Sequence, residues 1–245
     1  MKLTIYEIGV LNLAIALIPI LVVIAILVMW SLKSKTALYA SARMLIQLTA
    51  IGYVLTSIFA LDNAGIVVVV LALMLLAASW IALRPLRQKS ADLFAKALFG
   101  ISVGGVSTLA LTTFAVLQID YWYQPQYVIP LAGMIFSNAM NTVSLAAERF
   151  ESDMAVAEDY VHARNSAFTA ALIPSINTFF AVGLVAFPGM MTGQILSGVS
   201  PLIAVKYQIV IMSVLFGSSG ASAAIYLFLQ RDAGAPVEGM NPRQT

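Results

Sequence analysis

The groups in this chain that could bind or move a solute are few, and most are set among apolar residues. Asn138 and Asn141 lie on one helical stripe with Met134, Leu145 and Glu148, flanked by Ser137 and Ser144. Arg43 and Gln47 share a second stripe with Ala50, Val54 and Ser57. Ser175, Asn177 and Thr178 follow Pro174, a residue that kinks or breaks a helix because it has no N–H and crowds the preceding turn. Side chains of this kind either hydrogen-bond between helices or line a wet path, since lipid is a poor neighbour for any of them. Both readings of the asparagines stand on sequence alone. Arg43 either snorkels to headgroups or serves a cavity.

Catalytic chemistry has little to draw on. His162 is the single histidine and cysteine is absent, which excludes disulfides, thiolate metal sites and cysteine nucleophiles. Neither the glycine-rich phosphate loop of P-loop ATPases nor a His-Glu-x-x-His zinc motif occurs. No catalytic residue and no cofactor is expected on this chain, and no metal-ligand set can be assigned. Met190 and Met191 are thioethers that soft metals accept, yet methionine is also ordinary helix packing.

The elements that position these groups are membrane spans. Of 245 residues, 61% are hydrophobic and only 10% charged, where a soluble domain carries about 25% charged residues. That excludes an ordinary soluble enzyme. Seven apolar runs cover residues 8–32, 38–61, 65–83, 97–119, 127–147, 171–190 and 202–229. Each approximates the roughly 20 residues that a helix needs to cross a hydrocarbon core of about 30 Å. The expected fold is therefore all-α and polytopic, with a single transmembrane domain over residues 1–230 and a disordered tail over 231–245.

If seven spans alternate, eleven of the thirteen basic residues fall on one side, and only Lys2 and Lys206 on the other. By the positive-inside bias the amino terminus faces out and the carboxyl terminus faces the cytoplasm. No basic tract suggests nucleic acid. Gly100-x-x-x-Gly104, and Gly217 with Ala221, permit close helix approach. The connection over 148–170 is the one large cytoplasmic segment. Its part 148–164 holds five of the eleven acids and neither Gly nor Pro, so it can extend span five and then form a short helix before span six.

Seven spans with a lysine on the last invite comparison with retinal-binding pumps. That chemistry needs a mid-membrane lysine and a carboxylate counter-ion. Lys206 lies near the outer end of its span, and spans three and four contain no acid.

Other segments carry a more specific likeness. Arg43-Met44-Leu45-Ile46-Gln47-Leu48, Ile129-Pro130-Leu131-Ala132-Gly133-Met134-Ile135 and Asn138-Ala139-Met140 are three of them. Ala171-Leu172-Ile173-Pro174 and Gly183-Leu184-Val185 follow. The most specific is Pro188-Gly189-Met190-Met191-Thr192-Gly193-Gln194-Ile195-Leu196 with Ala204-Val205-Lys206-Tyr207-Gln208 after it. From about residue 38 to 229 the chain resembles the FetB family of ABC-type permeases. Bacterial members are regarded as iron exporters; plant relatives are linked to aluminium tolerance, one with proposed UDP-glucose transport. Ser137 stands where that family usually has glycine, and the segment between Glu148 and Pro174 is shorter and lacks glycine.

The resemblance implies a homodimeric permease in a bacterial inner membrane, bound to two copies of a separate ABC-type ATPase. Export of iron or another metal or chelate is the expected activity. Transport of a polar organic solute such as a nucleotide sugar, or an uncoupled channel or scaffold, is the alternative. The expected pathway residues are Arg43, Gln47, Met134, Asn138, Asn141 and Asn177. Pro188, Gly189, Met190 and Met191 are expected at an outer gate. Glu151, Glu158, Asp159, His162 and Arg164, within 148–170, are expected to dock the ATPase.

Overall fold

A computed structural model of the chain describes residues 8–59, 63–157 and 159–231, and all regular elements among them are helices. Six are long and apolar enough to cross a membrane, and the chain is an all-α integral membrane protein. The structure divides into two units, 1–61 and 62–245.

The first unit contains α1 (Val10–Ala16), α2 (Ile18–Met29) and α3 (Ser34–Phe59). α1 and α2 form one apolar run interrupted at Leu17, two residues before Pro19, which has no N–H to continue the preceding turn. None of the residues in these three helices is buried.

The second unit contains α4 (Ala64–Ala82), α5 (Ala91–Ala110), α6 (Pro125–Ala157), α7 (Tyr160–Ala181), α8 (Gly189–Leu196) and α9 (Pro201–Phe228). Polar caps start three of them. Asn63 accepts hydrogen bonds from the Gly65 and Ile66 amides, Ser90 from Leu93, and Asp159 from Val161. α5 passes into a π-helical turn, Leu111–Val116.

α5 and α9 meet along a seam of small residues. A Cβ placed on Gly104 would lie 2.7 Å from the Ser222 amide nitrogen, and one on Gly100 would lie 2.9 Å from the Ser222 carbonyl oxygen. Only glycine lets the two backbones come this close. Gly217, by contrast, has open space where its Cβ would be, so among the described residues no helix uses the close approach that Gly217 and Ala221 permit.

α6 runs through the middle of the unit and contributes to two apolar clusters. One joins its Ala139, Val143, Ala146 and Phe150 to Ala163, Ala167 and Ala171 of α7 and to Tyr226 of α9. The other surrounds Ile135 and Phe136, with Val67, Leu109, Ile211 and Val214 from α4, α5 and α9.

Two expectations from sequence change here. Span five does extend through the acidic segment, as α6 to Ala157, but the short separate helix does not form. Instead α7 runs unbroken from Tyr160 to Ala181. The expected sixth span, 171–190, is therefore not one helix: its first half ends α7, and its last two residues begin α8. Between them lies a turn in which Gly183 adopts φ +83° and its amide donates to the Ala186 carbonyl. α7 is not among the six strongly apolar helices, because Arg164, Asn165, Ser166, Ser175, Asn177 and Thr178 all lie on it.

Candidate functional site

α6 and α7 form an antiparallel pair that turns at an elbow beside Asp159, and their separation changes along their length. Near the elbow the alanines at 163, 167 and 171, none more than 1% exposed, leave no room between the helices. Beyond Ala171 the α7 sequence switches to Pro174, Ser175, Thr178 and Phe179, and the helices part around a cavity of about 170 Å³.

That cavity brings together five polar side chains, Asn138, Asn141 and Thr142 from α6 with Ser175 and Thr178 from α7. Met212, Leu215 and Phe216 of α9 close its apolar side. No acid or base lines it. Its hydroxyl and amide protons are partly committed to backbone carbonyls. Asn138 Nδ2 donates to Met134 O (3.1 Å), Thr142 to Asn138 O (3.0 Å) and Thr178 to Pro174 O (2.8 Å). Asn138 Oδ1, the hydroxyl lone pairs, the Asn141 amide and the Ser175 hydroxyl remain, so the cleft presents neutral donors as well as acceptors. Pro174, inside α7, supplies no N–H to the Ala170 carbonyl, which weakens the helix beside the cleft.

Two further cavities flank α9. One, about 440 Å³, lies between the end of α7, the Gly183 turn, Met191 of α8 and α9. It shares Phe179 and Met212 with the polar cleft, so the two are adjacent. The Phe179 and Phe216 rings, 5.0 Å apart at 46°, pack beside this junction. The other, about 430 Å³, contains Met134, Pro130, Met190, Gln194 and Tyr207.

The residues expected to line one pathway are thus distributed. Asn138 and Asn141 share the polar cleft; Met134 belongs to the third cavity, and Asn177 is exposed and lines none of them. Arg43 and Gln47 lie one turn apart on α3 of the first unit. There the Gln47 carbonyl accepts from Arg43 Nε (3.2 Å) and Nη2 (3.3 Å), with its amide set in the orientation that satisfies both. Of the expected outer-gate residues, Pro188 is the N-cap of α8 and Gly189 its first residue. Met190 and Met191 enter different cavities. Thr142, Phe179, Met212 and Phe216 were not singled out by sequence. They become visible only once α7 and α9 are placed against α6.

The elbow is tied down on both sides. Arg149 Nε bridges Asp153 (3.0 Å) and Ser166 (3.2 Å), linking α6 to α7. Tyr160 packs edge-on against Phe150 and donates its hydroxyl to the Leu227 carbonyl of α9 (3.0 Å). Two expected docking residues have internal roles: Glu151 accepts from the Arg87 amide (3.2 Å), and Asp159 caps α7. Arg164 holds the Asn165 side chain and lies 5.6 Å from the Tyr160 ring centre. His162, Val156 and Val161 are exposed, and Glu158 lies outside the described residues.

A model described as "Uncharacterised protein family (UPF0014)" matches residues 10–233. A UPF0014 membrane protein of Synechocystis sp. is 37% identical over 73% of this chain and 74% of its own length. The Escherichia coli "Probable iron export permease protein FetB" is 33% identical over 89% of this chain and 90% of its own. The Arabidopsis thaliana "Protein ALUMINUM SENSITIVE 3" is 28% identical over 85% and 82%. No solved structure matches significantly.

Proposed function

This chain belongs to the UPF0014 family, and from that premise we propose that it is the membrane-spanning permease subunit of an ABC-type transporter, powered by a separate ATPase and exporting iron or another metal as a chelate. The observation that carries the reading is the polar cleft between α6 and α7, where five hydrogen-bonding side chains, from buried Thr142 to exposed Asn141 and Thr178, line one opening in an otherwise apolar bundle. Polar groups at such positions are expensive without a partner, and a solute in transit supplies one. The E. coli relative, named for iron export, aligns over nearly the whole chain and so supports this substrate class.

In this reading the elbow faces the cytoplasm, as the basic residues favour. Closure of two ATPases on ATP would displace the exposed elbow surface around Val156, Val161 and His162. The ties at Arg149 and Tyr160 carry that motion into α7 and α9, and α7 flexes where Pro174 has removed a hydrogen bond. The cleft then opens alternately to the two sides, and direction follows from different solute affinity in the two states.

The lining also bears on the form of the cargo. Bare ferric or other hard cations favour anionic oxygen ligands, and the cleft offers only amides and hydroxyls. A chelate fits that lining. So does a polar organic solute, which is the second reading. An adjacent gene encoding a P-loop ATPase and copurification of the two proteins test the assignment. Failure to copurify would leave an uncoupled channel or scaffold instead.

A further inference from the structure

We propose that Gln208 anchors a second solute-binding station, in the cavity between the end of α7, α8 and α9, and that this station accepts an uncharged ligand presenting a hydrogen-bond donor on a largely apolar body. The inference rests on the permease reading and narrows its substrate class.

Gln208 sits on the inner face of α9, only 6% exposed, and its Oε1 atom has no hydrogen-bond partner. A buried amide oxygen left unpaired is destabilising, and leucine would fill the same position without that penalty. The surrounding cavity, about 440 Å³, is large enough for a small organic molecule or compact chelate. Ser213, one helical turn and a half along α9, also lines it; its hydroxyl proton is committed to the Ile209 carbonyl (2.9 Å). Ser213 therefore offers an acceptor oxygen to whatever enters, and in this proposal the enclosed Gln208 Oε1 gains its partner when the amide turns toward the ligand.

The rest of the lining decides against charge. Phe187, Val205, Ile209 and Met191 form apolar walls, and no acid or base contributes. An ion entering such a space would lose hydration without gaining a counter-charge. Nor do the described residues contain any cluster of three or more His, Asp or Glu that could hold a bare metal ion. Because Phe179 and Met212 border both cavities, a solute leaving the amide-lined cleft has this station as its neighbour. The second station thus selects for a neutral cargo already bearing its own ligands, or for a neutral organic molecule alone.

The test uses the full chain in lipid nanodiscs, with and without the copurifying ATPase. The probes are neutral tris(acetohydroxamato)iron(III), free acetohydroxamic acid, and ferric citrate as the charged form of the same metal. The expected result is saturable binding of a neutral probe, weakened at least tenfold by Gln208→Leu and partly retained by Gln208→Asn. Gln208→Leu should also raise the thermal midpoint, because it removes the unpaired amide. Binding of the iron complex without acetohydroxamic acid would identify a chelate, and the reverse an organic solute; either supports the station. Binding unchanged in Gln208→Leu, preference for ferric citrate, or no binding of either neutral probe to the unsubstituted chain would overturn it. A fall in thermal midpoint for Gln208→Leu would assign the amide a structural role and overturn it too. Loss of ATPase copurification would instead count against the permease reading, since the binding assay runs on this chain alone.

Discussion

The α6–α7 pair is two different structures along one pair of helices. On the elbow side of Ala171, Ala163 and Ala167 press against α6 with no exposed surface. On the far side, Pro174, Ser175 and Thr178 face Asn138, Asn141 and Thr142 across open space. Backbone type and chain direction are the same in both halves, so side-chain volume and polarity account for the difference. The tight half can transmit a displacement, because a close-packed interface moves as a body. The open half can respond to one, because its side chains hydrogen-bond only within their own helices and none ties α6 to α7 across the cleft. A machine that couples an external motor to a solute needs both.

The comparison can be broken from either side. The largest effect is expected at the α5–α9 seam that supports both halves. Gly104→Leu forces a side chain into the Ser222 backbone, and overpacking there costs about 3 kcal/mol or more; folded yield in detergent should collapse. Next is the tight half. Ala167→Leu enlarges a residue with no exposed surface and should lower stability by about 1–3 kcal/mol, measured as the shift in thermal unfolding.

The open half should behave in the opposite way. Asn138→Leu with Asn141→Leu is expected to abolish transport into proteoliposomes while folding and ATPase association persist. Loss of folding would assign the asparagines to helix–helix adhesion. The smallest effect is expected at the tie between elbow and α9. Tyr160→Phe removes one hydrogen bond to Leu227, worth about 1 kcal/mol, and should reduce transport-linked ATP turnover with little change in folded yield.

Much of this was legible in residue order, for identifiable reasons. Long uncharged runs reveal membrane helices because hydrocarbon tolerates little else, and the Asn138–Asn141 stripe follows from helical spacing alone. The break after Ala181 was not legible. Val182 to Phe187 is as apolar as the helix before it, and only Gly183 signals the turn. The elbow misled in another way: its charged residues suggest a short helix of its own before span six, yet Asp159 supplies a cap and the following residues simply begin α7. Gln208 could have been noticed as an amide within an apolar run. Its lack of a partner emerges only when neighbouring helices are in place.

The central claim is that the motor's stroke is transmitted by the tight half and opens the other. Since the chain contains no cysteine, spin labels can be introduced without background. One pair, Ser152→Cys with Val161→Cys, reports the elbow; the other, Ser137→Cys with Ile176→Cys, reports the far half. Pulsed electron paramagnetic resonance on the assembled transporter should show the far-half distance shifting when a non-hydrolysable ATP analogue binds, with the elbow distance unchanged. Equal shifts in both pairs, or a shift confined to the elbow pair, would contradict the account.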